Sequence, residues 1–445
     1  MKKYIIIFLL LTICQVGLCE LPAYWITSNG VTSVIADYIT DPVTNVVTNI
    51  PSLYLDMPDA DWFSQTNGIY SNPQEETWAK QCDIRYINPD GSTNFVRQCE
   101  VEIAGCSSRD PNRTSKHSFN VKFKTATGGV LTYPVFGTNA AASFKSLRLS
   151  AGNNITWACR FDSQAYRAQY VRDQYCNDLQ LLMGYPSVHG KFIHLYLNNI
   201  YWGLYSIREK PDEDWCKSYY GGNKNNYDVI KNTCIITEIV AGTNTSYNLM
   251  VASKNDYNQM KQYLDIDAFI DYMLINFYAG NTDWAMHNWY AVKDRTLTNF
   301  LWRYVSWDSE YTLLSATVNV TGKNDGDPTT IHSFLRNSPE YRNRFAVRAS
   351  QQLNRGILST PSIPYMNRIS EINESIVLES ARWGDSTGIL YTRANWLTEL
   401  NWVTNTFFPQ RTDVLINQLK TGLLYIDPPL PPNNFRIISY EYNRM

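Results

Sequence analysis

Residues 266–310 constrain the fold more than any other part of the chain, because a helix, a polar loop and a strand follow one another closely. The segment IDAFIDYMLINFYAG repeats apolar side chains at helical spacing, which predicts an amphipathic helix. Asp265 or Asp267 can cap its start, and Gly280 can end it. After the loop comes FLWRYVSW, whose aromatic and β-branched residues predict a strand.

The polar residues of this stretch are typical of phosphoryl transfer. Asp283 and Asn288 lie five positions apart on the loop that leaves the helix, and Asp308 follows the later strand. Protein kinases combine an Asp that accepts the proton of the substrate hydroxyl with an Asn and a second Asp that bind metal. Hard oxygen ligands suit Mg²⁺, which neutralises the charge of the transferred group. Neither an HRD nor a DFG motif is present, which excludes an ordinary protein kinase.

Four segments in series resemble the CotH (spore coat protein H) kinases, an atypical, secreted, protein-kinase-like family. NTDW–x3–N–W and the later W–x5–D are similar to the core of that family. FDSQAYRAQYVRDQYCNDLQLLMGYP is similar to its Asp…Arg helix and the turn that follows. IHLYLNNIYWGLYSIREK is similar to its YLNGxYxGLYxxxEK hairpin. Together the segments cover about residues 95–315 in the order and spacing of the family.

The resemblance implies a two-lobed α+β fold like that of protein kinases, with an N-terminal β-rich extension. It implies transfer of the ATP γ-phosphate, with Mg²⁺ or Mn²⁺, to Ser or Thr of an exported coat or surface protein. Asp283 would be the catalytic base, and Asn288 and Asp308 would bind the metal. Glu310 stands where the family has a second Asp, which leaves its part in metal binding open, and His287 is expected to be structural.

Trp302 and Tyr201 are candidates for the two sides of the adenine pocket. Trp302 lies where the family places an aromatic side chain against the base, although core packing is the commoner use of Trp. Glu209 and Lys210 end the second strand of the hairpin. Adjacent strand residues face opposite sides, so we expect at least one of these two to line the nucleotide site.

Basic residues upstream are further candidates for phosphate contacts. Arg172, inside a helix predicted over residues 162–183, either faces phosphate or pairs with acidic neighbours on the helix surface. The segment GCSSRDPNRTSKHSF connects two predicted strands. It is either a phosphate-binding loop, with Arg109 or Lys116 as its cation, or an ordinary polar connection.

The N-terminus predicts export. Lys2 and Lys3 precede YIIIFLLLTI, an apolar run too short to span a bilayer, which is typical of a secretory signal peptide. No later segment is apolar enough for a membrane span, so we expect a secreted or cell-surface-associated protein. The net charge of −2, without a run of Lys or Arg, excludes a nucleic-acid footprint. In an oxidising compartment we expect Cys82 or Cys99 to pair with Cys106 or another Cys of the β region.

The predicted domain order follows from these patterns. Alternating side chains with Pro-Asp-Gly and Gly-Gly turns predict an antiparallel meander over residues 80–137, and helical patterns dominate residues 328–425. The kinase domain would have a β-rich lobe to about residue 210 and a helical lobe after it. The segments are a signal peptide (1–19), a β-rich segment (20–94), the CotH-like kinase domain (95–425) and a Pro-rich tail with a short strand (426–445).

Two other functions are compatible with the sequence. A surface adhesin or coat structural protein on the same fold would not bring Asp283, Asn288 and Asp308 together on a metal. A secreted carbohydrate-active protein, which the 31 Tyr and 13 Trp favour, would need two carboxylates facing each other across an open groove.

Overall fold

The computed structural model describes residues 26–27, 30–31, 49–160, 162–233 and 236–427. The predicted signal peptide lies outside these residues, as does the predicted tail apart from residues 426–427. The described part of the chain contains two larger β-sheets, a two-stranded ribbon and many helices, which confirms the predicted α+β class. None of the helices in these ranges is long and apolar enough to cross a bilayer.

The strands, in chain order, are β1 (Ile26–Thr27), β2 (Gly30–Val31), β3 (Ser52–Asp56), β4 (Ala79–Ile87), β5 (Thr93–Ala104), β6 (Ser118–Lys122), β7 (Leu131–Thr132), β8 (Ser143–Phe144), β9 (Ser146–Ser150), β10 (Gly190–Leu197), β11 (Ile200–Arg208), β12 (Tyr227–Thr233), β13 (Ile236–Ala241), β14 (Trp289–Asp294) and β15 (Arg303–Ser306). The α-helices are α1 (Asp59–Phe63), α2 (Arg172–Leu182), α3 (Glu213–Tyr220), α4 (Thr245–Ala252), α5 (Tyr257–Met260), α6 (Ile266–Ala279), α7 (Asp327–Leu335), α8 (Pro339–Asn354), α9 (Ser362–Ile372), α10 (Ile376–Trp383), α11 (Arg393–Trp402) and α12 (Phe408–Thr421).

The larger sheet closes on itself. Its strand order is β10-β3-β4-β5-β6-β9-β11-β1-β2, and β10 also pairs with β11. This extra pairing closes a ring of strands in the order β10, β3, β4, β5, β6, β9 and β11. Alternate side chains of these strands, among them Leu55, Ile84, Val101 and Leu149, are buried in one apolar cluster. Because alternate residues of a strand face opposite sides, the other face of β6 and β9 carries polar side chains, and Ser206 and Arg208 continue this polar face at the end of β11.

The second sheet lies in the half of the chain that follows residue 210. Its order is β13-β12-β14-β15. The sequence predicts a helical lobe here with one strand, FLWRYVSW, which contains β15; the structure adds the other three strands of the sheet. Strand β12 (YDVIKNT) is not predicted because its polar residues give it no regular alternation, although the strand is largely buried. The predicted helix over residues 162–183 is also shorter than expected, because its α-helical part begins at Arg172.

Helix α6 is the centre of the helical core, and the sequence predicts both of its ends correctly. Asp265 accepts a hydrogen bond from the Ala268 amide at 3.2 Å, and Gly280 ends the helix with a left-handed φ of 63°. Nearly every side chain between these ends is buried, on all sides of the helix. The helix is therefore a core helix rather than the amphipathic one that its spacing predicts.

The expected disulfide is not formed by Cys82 or Cys99. The two residues are direct cross-strand partners on β4 and β5, and both are buried free thiols. Neither of them is therefore bonded to the other or to Cys106.

We expect Arg411→Met to unfold the protein at markedly lower denaturant concentration. Arg411 is fully buried and donates to the carbonyls of Phe277, Tyr278, Ala316 and Val318. These hydrogen bonds join α12 to the end of α6 and to the segment between β15 and α7. Leaving several buried carbonyls without donors should lower the free energy of unfolding by about 3–5 kcal/mol. Arg355→Met, at an exposed position, should change it by no more than about 0.5 kcal/mol. Equal losses in chemical denaturation of the two variants would contradict this role.

Candidate active site

The pairing of β14 with β15 brings Asn288 and Asp308 to the same end of the second sheet. Trp289 pairs with Ser306 in antiparallel register, so the residue before β14 and the residues after β15 leave the sheet side by side. Asp283 is joined to this end because its carbonyl accepts a hydrogen bond from Asn288 Nδ2 at 3.0 Å. The three residues therefore lie around one end of one sheet.

The loop between α6 and β14 is held in a conformation that side chains rarely adopt. Ala285 and Asn288 have left-handed φ angles of 88° and 67°. Trp289 Nε1 donates to the Ala285 carbonyl at 2.8 Å, and Trp284 Nε1 donates to the hydroxyl of Tyr272 at 2.7 Å. Two buried indoles thus fix a loop whose backbone would otherwise relax.

The side-chain amide of Asn288 has a defined orientation. Only its NH₂ group can donate to the Asp283 carbonyl, so Oδ1 must point the other way. The backbone amide is also fixed, by a 2.7 Å hydrogen bond to the Asn232 carbonyl at the end of β12. Oδ1 accepts no hydrogen bond from the described residues, which leaves it available as a neutral oxygen ligand.

Asp283 is paired with His287, a contact that the sequence analysis did not predict. His287 Nε2 donates to Asp283 Oδ1 at 2.8 Å. This hydrogen bond raises the pKa of His287, although burial opposes the rise. The Asp283 side chain is 39% exposed, and no residue in the described ranges hydrogen-bonds to its second oxygen. One carboxylate oxygen is thus anchored and the other is open.

Asp308 has a free carboxylate at the end of β15. Its backbone is left-handed, with a φ of 57°, and its side chain accepts no hydrogen bond or ion pair from the described residues. Burial raises the pKa of Asp308 to about 6; Asp173 adds to the rise, and Arg148 and Arg208 oppose it. The carboxylate is therefore only partly solvated, and no cation of the described residues is bonded to it.

Asp173 holds the chain next to Asp308 in place. Its Oδ1 accepts a hydrogen bond from the Ser309 amide at 2.8 Å, and its Oδ2 forms an ion pair with Arg208 at the end of β11. Asp173 lies at the start of α2 and is fully buried. It therefore joins the ring of strands to the loop that carries Asp308.

Glu310 is engaged by the backbone and side chain of Asn154. Its Oε2 accepts hydrogen bonds from the Asn154 amide at 2.8 Å and from Asn154 Nδ2 at 3.0 Å. Burial raises the pKa of Glu310 to about 8, and the nearby Asp308 carboxylate adds to the rise.

Arg172 does not present its guanidinium to an open site. It is fully buried and donates to the carbonyls of Asn154 at 2.8 Å and Thr312 at 3.3 Å, and to Gln164 Oε1 at 3.3 Å. Burial lowers the pKa of Arg172 to about 10. Its contacts hold together the two segments that carry Asn154 and Glu310, which is a structural role rather than the expected phosphate contact.

Lys116 and Arg109, the cations expected in the upstream loop, are both committed to protein groups. Lys116 Nζ donates to Glu379 Oε1 at 2.6 Å and to the Leu204 carbonyl at 2.7 Å, and the pair is fully buried. Arg109 donates to the carbonyls of Gly105, Pro73 and Ile103. Neither cation can reach a phosphate without breaking these contacts, so the expectation for Lys116 is corrected.

Glu209 and Lys210 face different surroundings, as adjacent strand residues should. Glu209 is fully buried and accepts hydrogen bonds from Tyr219, Trp215 and the His189 amide, so it is not a nucleotide contact in this structure. Lys210 forms no ion pair or hydrogen bond with the described residues. Burial lowers the pKa of Lys210 to about 8, and Arg148 adds to the decrease.

Trp302 and Tyr201 are both core residues, which corrects the expected adenine pocket. Trp302 is fully buried; its Nε1 donates to Ser246 Oγ at 3.2 Å, and its ring packs edge-on against Tyr247. Tyr201 is equally buried and hydrogen-bonds to the His194 ring at 3.3 Å. Neither ring has a face open to a ligand.

Comparison with known proteins assigns the family. The family described as CotH kinase protein matches residues 101–415, which is most of the chain. The chain belongs to the CotH kinase family. A comparison with curated proteins finds no match.

Within the described ranges of this CotH family member, no group of three or more His, Cys, Asp or Glu side chains is arranged to hold a metal ion.

The sequence analysis missed Asp173 and Arg148 near the site and gave His287 only a structural role, although each had a local signal. His287 lies four positions after Asp283 in the same loop, and Asp173 directly follows Arg172. Arg148 lies in the alternating strand FKSLRLS, on the polar side of the alternation. Polar residues that alternate with buried ones on a strand near a predicted site are thus worth testing as site residues.

Trp302→Ala should act on stability. Removing a fully buried indole should lower the free energy of unfolding by about 3–5 kcal/mol. Tyr166→Ala removes an aromatic ring that is mostly exposed and should cost no more than about 0.5 kcal/mol. Chemical denaturation measures both; an unchanged midpoint for Trp302→Ala would mean that the ring is not part of the core.

Gly326→Ala should displace the loop that carries Asp283 and Asn288. A Cβ at residue 326 would lie 1.9 Å from the Ala285 carbonyl oxygen and 2.3 Å from the Met286 amide nitrogen. The clash is with backbone, so the loop must move, at a cost of about 1–3 kcal/mol. Gly322→Ala is the control, because its Cβ would meet nothing within 4 Å. Thermal melts and a crystal structure of each variant test this; a loop that stays in place in Gly326→Ala would contradict it.

Proposed function

We propose that this CotH kinase family member transfers the γ-phosphate of ATP to Ser or Thr hydroxyls of an exported protein, with Mg²⁺ or Mn²⁺. The observation that supports the proposal is the convergence of three oxygen groups at one end of the second sheet. They are the free carboxylate of Asp308, Oδ1 of Asn288 and the open oxygen of Asp283. Carboxylate and amide oxygens without protein partners, placed together at one end of a sheet, are the donor types that a hard divalent cation binds.

The donor set fits a hard divalent cation. Asp308 offers an anionic oxygen and Asn288 a neutral one, and neither is occupied by another described residue. Mg²⁺ is commonly held by one or two carboxylates, with phosphate and water oxygens completing its octahedron. Two protein ligands are therefore enough, and a cage of three acidic side chains is not required. When bound, the cation would neutralise negative charge on the phosphates.

Asp283 would act on the acceptor hydroxyl. Its open oxygen would accept the hydroxyl proton as the hydroxyl oxygen forms a bond to the γ-phosphorus and the bond to ADP breaks. The hydrogen bond from His287 orients the carboxylate, since it occupies Oδ1 and leaves the other oxygen for the acceptor. Asn288 is tied to the Asp283 carbonyl, so the base and a metal ligand keep a fixed spacing.

The acceptor class and the compartment come from the family and from the predicted signal peptide. A Ser or Thr side chain on a coat or surface protein would meet the enzyme outside the cytosol. The rival function is that of a surface adhesin or coat structural protein on the same fold, in which the three oxygen groups would have no chemical role.

Wild type should phosphorylate itself or an exported protein in the presence of Mg²⁺ or Mn²⁺. Asp283→Ala should lower kcat by about 10²–10⁴-fold and leave ATP binding nearly unchanged, because the base acts on the acceptor. Asp308→Ala should remove both transfer and metal-dependent ATP binding. Asn288→Ala should fall between the two, because a neutral ligand contributes less than an anionic one. Labelled ATP and metal titrations measure these effects.

Asp267→Ala is the matched control, because Asp267 is also 39% exposed and forms an ion pair, with Arg344 on α8. Its activity should equal that of wild type. Transfer that survives Asp308→Ala would contradict the proposal. The same holds if wild type transfers no phosphate to any tested acceptor with either metal, and that result would favour the structural rival.

A further inference from the structure

Arg148 lies in the middle of the polar face of the ring of strands. It is paired in register with Asn120 on β6 and with Arg208 on β11. Cross-strand partners point to the same side of a sheet, so these three residues form one row across three strands. Arg208 contacts Asp173, and Asp173 binds the amide that follows Asp308, which places this row beside the candidate active site.

Most N–H donors of Arg148 have no hydrogen-bond partner among the described residues, unlike those of the other arginines around the site. Its only hydrogen bond to the described residues runs from Nη1 to Asn120 Oδ1, at 3.3 Å, and it forms no ion pair with them. Arg208, by contrast, is ion-paired, and Arg109 and Arg172 each donate to three protein oxygens. A guanidinium carries five N–H donors, and the partly exposed side chain of Arg148 leaves most of them open.

No carboxylate of the described residues forms an ion pair with Arg148: Glu102, the next residue along the row on β5, pairs with Lys122 and accepts a hydrogen bond from Asn120. Burial lowers the pKa of Arg148, and Asp308 is the largest influence that opposes this decrease. Arg148 in turn lowers the pKa of Lys210, because the two cations repel each other. Gly105 borders the guanidinium: it has a φ of 117°, and an added Cβ would lie 3.8 Å from Arg148 Nη2. The turn at Gly105 therefore runs along this open cationic surface.

We propose that Arg148 binds the phosphate groups of the nucleotide and holds them beside Asp308. The assignment rests on the proposed function and supplies the cation that Lys116 cannot provide. A planar guanidinium binds two phosphate oxygens at once, which orients the chain of phosphates as well as attracting it. A metal ion on Asp308 and Asn288 would then contact the same phosphates from the other side.

Calorimetric binding to three ligands tests Arg148 without relying on transfer. The ligands are ATP with Mg²⁺, inorganic tripolyphosphate with Mg²⁺, and adenosine. Arg148→Gln should weaken ATP and tripolyphosphate binding by about tenfold or more, the effect expected for loss of a charge-assisted pair, and should leave adenosine binding unchanged. Arg148→Lys should keep part of the affinity. Arg85→Gln, which removes an arginine that contacts Asp56 and Asn199, should bind like wild type.

The outcomes separate this inference from the kinase proposal. Unchanged ATP and tripolyphosphate affinity in Arg148→Gln overturns the inference, and so does an equal loss for adenosine accompanied by a lower melting temperature. If wild type binds tripolyphosphate through Arg148 but shows no preference for ATP and no transfer, the anion site stands and the kinase proposal fails. If wild type binds neither phosphate ligand, both are overturned.

Discussion

The carboxylate of Asp173 joins the parts of this molecule on which the candidate active site depends. One of its oxygens pairs with Arg208 of the ring, and the other accepts the amide of Ser309, next to Asp308. Both contacts are buried, and a buried carboxylate that lost either partner would be left poorly compensated. The side chain of Asp173, at the start of α2, therefore joins the ring of strands to the loop that carries Asp308, in addition to the contacts of Arg172 and Glu310 with Asn154.

The local part of this architecture could be predicted from the sequence, because its signals are local. The caps of α6 at Asp265 and Gly280 follow from residue type and spacing. The grouping of Asp283, Asn288 and Asp308 follows from a loop and a strand end that share one edge of a sheet. The contacts that surround these residues are not local. Lys116 pairs with Glu379, 263 positions later, and Asp173 binds Ser309, 136 positions later. Periodicity and local spacing cannot predict contacts between residues that lie this far apart in the sequence.

Burial decided the roles of the aromatic residues, and burial is a property of the packed molecule. A Trp that precedes an acidic strand end has the same local sequence whether it stacks on a base or fills the core. Trp302 is drawn into the core by the segment before α6: its amide donates to the Tyr263 carbonyl at 2.7 Å, and its carbonyl accepts from the Asp265 amide at 3.1 Å. These bonds fix the ring beneath the second sheet, among Tyr247 and Trp289. The same tertiary pairing therefore holds Asp265, the N-cap residue of α6, and keeps Trp302 in the core.

Two charged side chains, Asp308 and Lys210, have no ion-pair partner among the described residues. Asp308 has a pKa raised to about 6 and no bonded cation, while Lys210 has a pKa lowered to about 8 and no bonded anion. Asp173 fixes the chain next to Asp308, and the buried network of Glu209 fixes the chain next to Lys210. Each charge is partly compensated by protein groups, since Arg148 and Arg208 lower the pKa of Asp308 and Glu102 raises the pKa of Lys210, but burial outweighs these influences. An added cation would therefore stabilise the Asp308 carboxylate and an added anion would stabilise Lys210, and the proposed metal and phosphate groups would supply these two charges.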